Sequence, residues 1–111
     1  MKNIKAVSKF VRISPKKARL AAGLIRGLKV EEALVQLQFS EMKGGRLLLK
    51  TLKSAIANAE VRADAKRENL KIQDVRVDAG STMKRSKSKS RGGQVPILKR
   101  TSHFTVVLTS V

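Results

Sequence analysis

The chain has 111 residues, with 25 Lys and Arg against 8 Asp and Glu, for a formal charge of +17. That length suits one small domain, and a hydrophobic fraction of 41% is enough for a core, which excludes a wholly disordered basic tail. With no Cys, Trp or Tyr and a single His, disulfide frameworks, thiolate or multi-histidine metal sites and Cys-His nucleophiles are excluded, no cofactor is implied, and a reducing cytoplasm is the easiest setting.

Residues 3–13 read as a strand, with Val7, Val11 and Ile13 interleaved among Lys5, Lys9 and Arg12, and its basic side open to a partner. Ser14 and Pro15 signal a helix start, serine as an amide cap and proline at the first helical position; the helix runs to about residue 26 and stops at Gly27. At 100° per residue Leu20, Ala21, Leu24 and Ile25 form an apolar arc, opposite Lys16, Arg19, Gly23 and Arg26. Lys16 and Lys17 sit in the first turn, where the helix dipole disfavours positive charge; either a bound phosphate compensates or they are plain surface lysines. Gly23 and Gly27 form a GxxxG that reads as close packing.

A second helix over 30–38 places Val30, Leu34 and Leu37 on one side and Glu31 and Glu32 in its first turn. Ser40 and Glu41 open a third, reaching about residue 65, with an apolar stripe of Leu48, Leu49, Leu52, Ile56, Ala59 and Ala63. Arg46, Lys50 and Lys53 on its other face are as readily a solvated strip as a phosphate-binding one. Residues 70–79 read as a strand through Val75 and Val77, and 97–109 as another through Leu98, Phe104, Val106 and Leu108, the two pairing antiparallel. Leu70 and Ile72 are out of phase with Val75 and Val77, which predicts a bulge near Gln73. The expected fold is α+β: a small antiparallel three-stranded sheet packed against three helices, in a single domain over 1–111 with a long protruding basic β-hairpin at about 79–98.

Charge follows this plan. Residues 1–30 hold nine basic side chains and no acid, residues 79–111 hold seven and no acid, and all eight acids lie between. Two acid-free blocks flanking a balanced middle predict contact surface for a polyanion, nucleic acid before membrane. Lys2, Lys5, Lys9 and Arg12 interrupt any signal-peptide core, and no apolar run approaches the roughly 20 residues that span a bilayer, so a soluble, unexported protein is expected.

Within residues 80–96 Arg85, Lys87, Lys89 and Arg91 alternate with Ser86, Ser88 and Ser90, so an extended conformation puts cations on one side and hydroxyls on the other. As a hairpin of about nine residues an arm it would reach roughly 30 Å; the alternative is a disordered Ser/Lys loop. Phe10, Phe39 and Phe104 all lie in apolar-patterned segments and are assigned to the core, leaving no base-stacking platform. Recognition through phosphates, 2′-hydroxyls and shape follows; folded RNA fits a small basic body with a basic arm, and bent duplex DNA fits too. Catalysis is not expected. His103 is the one histidine, Asp74 and Asp78 stand roughly 13 Å apart on a strand, and nothing resembles a phosphate-binding loop or a metal site.

Four blocks carry a resemblance: Ser14-Pro-Lys-Lys-Ala-Arg-Leu-Ala-Ala-Gly-Leu-Ile-Arg-Gly27, Ser54-Ala-Ile-Ala-Asn-Ala-Glu60, Met83-Lys-Arg85 and Leu98-Lys-Arg-Thr-Ser-His-Phe-Thr-Val-Val107. Together, in order and spacing, they resemble the signature blocks of the bacterial-type ribosomal protein L-twenty-two family. The resemblance implies an α+β body bound to large-subunit ribosomal RNA and a long β-hairpin lining the nascent-peptide exit tunnel. It further implies early RNA binding in subunit assembly and a cytoplasmic place in the large ribosomal subunit. The implied partners are that RNA, neighbouring ribosomal proteins and, near the hairpin tip, the nascent peptide, with no membrane and no homo-oligomer. Expected RNA contacts are Lys5, Lys9, Arg12, Ser14, Lys16, Lys17, Arg19, Arg26, Lys84, Arg85, Lys87, Lys89, Arg91, Lys99, Arg100, Thr101, Ser102 and His103. The expected tunnel hairpin is Met83, Lys84, Arg85, Ser86, Lys87, Ser88, Lys89, Ser90 and Arg91, its tip a plainer Ser/Lys alternation than is usual in the family.

Overall fold

Strand β1 (Ile4–Val11) leads through Ser14 into helix α1 (Pro15–Ile25), followed by α2 (Val30–Gln38) and the long α3 (Lys43–Arg62). A single 3-10 turn, Arg67–Asn69, then delivers the chain into β2 (Leu70–Ala79), β3 (Met83–Ser88), β4 (Gln94–Lys99) and β5 (Ser102–Ser110). This computed structural model describes residues 3–88 and 94–110, by backbone alone at 83, 85–88, 94–97 and 110.

The main sheet has the order β1-β5-β2, antiparallel throughout, and its central strand supplies Phe104, Val106 and Leu108 to the core. Helix α3 packs on β1 and β5 while α1 packs on β2 and α3, so Ile25, Leu48, Leu52 and Ile56 close over Ile72 and Val75. The expected α+β fold, three helices against a three-stranded antiparallel sheet, is what forms. The bulge near Gln73 is also there: the β2–β5 register shifts between Ile72 and Asp74, which turns Leu70, Ile72, Val75 and Val77 all inward despite their odd spacing.

A second bulge lies in β1, where the sequence pattern carries no sign of it. β1 and β5 pair regularly from Ile4↔Leu108 to Ser8↔Phe104 and resume at Val11↔Ser102, so Lys9 and Phe10 together face the single residue His103. Ala6 points inward before the bulge and Ile13 lies buried beyond it. The extra residue turns Phe10 out of the inward row, at a left-handed φ of 57°, a conformation that costs a bulky residue of order 1–3 kcal/mol. Of the three phenylalanines expected in the core only Phe104 is buried; Phe10 is 60% and Phe39 77% exposed.

Helix α1 is rotated from the expected arc. Ala18, Ala21, Ala22 and Ile25 face inward, while Leu20 and Leu24 are 65% and 52% exposed. The cause is Gly44 at the start of α3, where an added Cβ would lie 3.3 Å from the Ala18 Cα and 3.3 Å from the Ile13 Cδ1; helices that close leave room only for alanines. Close packing thus falls at Gly44 and not at the Gly23–Gly27 pair. Gly23 faces open space and Gly27 serves the turn after α1, at φ +83°. Ser14 occupies the position before α1 but its side chain makes no capping hydrogen bond. Ser40 acts outside α3, its Oγ accepting the Met42 N–H at 3.2 Å, which delays the helix start to Lys43.

The run expected as one strand over 97–109 is two, broken at Arg100 and Thr101. Its first part, β4, pairs with β3 in a separate hairpin from Met83↔Lys99 to Ser88↔Gln94, so Leu98 lies exposed and not in the core. At the base the Gly80 N–H donates to the Thr101 carbonyl at 2.9 Å, and the buried Thr101 hydroxyl donates to the Ser81 carbonyl at 2.7 Å. The radius of gyration is 16.9 Å and the long axis 62 Å, against about 13 Å for the radius of a compact chain of this length.

Candidate nucleic-acid interface

Two of the three helices begin with basic residues and no acid: Lys16 and Lys17 in α1, Lys43 in α3. Neither start has a side-chain cap, so first-turn N–H groups keep the partial positive charge of a helix N-terminus. Helix α2, by contrast, opens on Glu31 and Glu32. The tight α1–α3 crossing at Gly44 brings the two basic starts to the same place, beside the base of the hairpin.

There they line a groove of about 870 Å³ bounded by Arg12, Ile13 and Ser14, by Lys17 and Leu20 of α1, by Met42, Lys43 and Gly44, and by Leu98, Lys99 and Arg100. It presents five cations and no carboxylate. Among the described residues the ion pairs are Arg26–Asp74 at 3.6 Å, Arg76–Asp74 at 3.8 Å and Arg67–Glu60 at 3.9 Å, and none uses a groove cation. Leu20, Met42 and Leu98 add apolar wall between the charges. Cations and free amides suit phosphates, and the apolar segments suit the sugar and base faces between them.

Of the residues singled out from the sequence, Arg12, Ser14, Lys17, Lys99 and Arg100 come together here. Lys5 and Lys9 are exposed on β1, Lys16 is exposed on α1, and Lys84 is exposed near the hairpin base. Met83, Arg85, Ser86, Lys87 and Ser88 lie on β3, known by backbone only, and Lys89, Ser90 and Arg91 lie outside the described residues.

Five do something else. Arg19 donates through Nε and Nη2 to the Val77 carbonyl at 3.2 and 3.1 Å, and Arg26 donates through Nη2 to the Val75 carbonyl at 2.6 Å, both on β2. Ser102 is fully buried, its hydroxyl donating to the Ile13 carbonyl at 2.7 Å, and the Thr101 hydroxyl is spent on Ser81. His103 is half-buried on the sheet; its Nδ1 accepts the Phe10 N–H at 3.0 Å.

Lys43 carries the same signal as Lys16 and Lys17, a cation in a helix first turn, but that signal is masked in the sequence. The earlier Ser40-Glu41 pair looked like the start and hid it. Among the described residues no three His, Cys, Asp or Glu gather to hold a metal, and no helix is long and apolar enough to cross a membrane.

The protein family described as "Ribosomal protein L22p/L17e" matches residues 6–109. Similar curated proteins include the large ribosomal subunit protein uL22 of Protochlamydia amoebophila (strain UWE25), 65% identical over 111 residues and the whole of both chains. That of Chlamydia pneumoniae is 62% identical over 104 residues, 94% of each chain, and that of Chlamydia trachomatis serovar L2b is likewise 62% identical over 94% of each. With the match spanning the helices, the sheet and the hairpin, the chain belongs to the uL22 family of large-subunit ribosomal proteins, a family of structural components of translation and not of enzymes.

Proposed function

We propose that this protein is a structural, cytoplasmic component of the large ribosomal subunit that binds large-subunit ribosomal RNA through the basic groove and the hairpin. One domain carries both: the body docks on RNA early in assembly, and the hairpin extends along the RNA to line the exit tunnel near the nascent peptide, with other ribosomal proteins as neighbours. The observation that carries this reading is the convergence of Arg12, Lys17, Lys43, Lys99 and Arg100 with two uncapped helix starts at the hairpin base. The arrangement needs no second copy of the chain and no membrane.

The hairpin register supplies the test. Because Lys84 pairs with Leu98, a two-residue Asn-Gly turn can replace residues 85–97 without disturbing Gly80 or Thr101. Affinity for deproteinised large-subunit RNA is then followed against salt. The intact chain should show a steep fall, about 0.7–0.9 in log affinity per phosphate contact per log unit of salt. The shortened chain should bind with a shallower slope; an unchanged slope would remove the hairpin from the RNA contact.

A further inference from the structure

The helices cover one face of the main sheet and leave the other open. On that open face Val7 is exposed opposite Thr105, Val107 stands opposite Lys5, and the row ends at Phe10 and His103. A ring of this size gains most by burial, yet the bulge turns it outward at a strained φ.

The ring is also held. The Phe10 N–H donates to His103 Nδ1 at 3.0 Å, so the proton of the neutral imidazole sits on Nε2, and the two rings meet edge to face with centroids 4.9 Å apart and an interplanar angle of 88°. An edge-to-face contact covers at most one face of the Phe10 ring, and the residue stays 60% exposed. Lys9 lies beside it in the chain and Arg12 two residues on, with no acid in the first thirty residues. The one carboxylate in register with His103 is Asp78, on the far side from β1.

We propose that Phe10 is a stacking platform for an unpaired nucleobase of the bound RNA, with His103 as the positioning residue that fixes it. Lys9 and Arg12 then meet the phosphates on either side of that base. The proposal rests on the RNA-binding reading above and adds a base-contacting element to an interface otherwise built on phosphates.

The sequence has no Trp and no Tyr, so Phe10→Trp in the full chain gives a single indole reporter. It is titrated with deproteinised large-subunit ribosomal RNA and, separately, with a fully paired RNA duplex. Stacking quenches the emission on the ribosomal RNA and leaves it unmoved on the duplex. In parallel, Phe10→Ala weakens binding to the ribosomal RNA roughly fivefold to a hundredfold at an unchanged salt slope, the range expected for one lost stacked base. His103→Leu, added to the Trp reporter, reduces the quenching. Tight, salt-dependent binding with unquenched emission and an unaffected Phe10→Ala would overturn the platform and leave the RNA reading standing. Equal quenching by the duplex would overturn the unpaired base as its occupant, and absence of any RNA binding would overturn both readings.

Discussion

Replacing Ser102 by alanine separates a structural role from an RNA-contacting one. Its hydroxyl is wholly buried and joins β5 to the link between β1 and α1, donating to the Ile13 carbonyl at 2.7 Å across 89 residues of sequence. Ser102→Ala removes the donor and leaves that carbonyl without it, a loss of about 1–3 kcal/mol. For 111 residues an unfolding entropy near 2.1 cal/mol/K per residue gives about 4 °C per kcal/mol, hence a fall in Tm of roughly 4–12 °C. Far-UV circular dichroism reads the melt, and filter binding to ribosomal RNA well below the midpoint reads the interface. The expected result is a lower Tm with unchanged affinity and salt slope. An unchanged melt with weakened RNA binding would refute the assignment and make the hydroxyl an RNA contact.

Lys43→Gln together with Arg100→Gln should shallow the salt slope by about 1.4–1.8 while the melt stays in place, since neither side chain is paired with an acid. Gly27→Ala and Gly23→Ala should differ in sign although both face open space: the first forces alanine to φ +83° and costs about 1–2 kcal/mol, the second gains about 0.5–1 kcal/mol in helix propensity. Thermal melts of the pair decide it, and destabilisation by Gly23→Ala would mean a contact the structure does not contain.

How much of this was legible in the sequence depends on what each signal compares. The Gln73 bulge could be read because Leu70 and Ile72 stand against Val75 and Val77, four apolar residues whose phases conflict. The bulge at Lys9 and Phe10 could not, because Phe10 fits the inward row of Ile4 and Ala6 until the pairing with β5 shows two residues facing His103. Hydrophobicity ranks Leu20 and Leu24 above Ala18 and Ala22, but the distance between α1 and α3 is fixed by Gly44, and distance favours the smaller side chains. The cations were legible as a set from the acid-free blocks. Which of them are committed inside the fold was not, since backbone carbonyls such as those of Val75 and Val77 leave no mark in a sequence.

Those two carbonyls lie on the outermost strand β2, whose free flank would otherwise offer a row of unpaired hydrogen-bonding groups to any passing chain. Arg19 and Arg26 occupy two acceptors of that row, the Leu28 carbonyl takes the Ile72 N–H further along it, and the guanidinium charge repels another copy of so basic a protein. A protein that waits for the rest of its particle is exposed to self-association throughout that interval, and here the wait is guarded by one side chain within α1 and one just past its end. Their removal would be felt less in the assembled particle than in the fraction of new chains that survive to reach it.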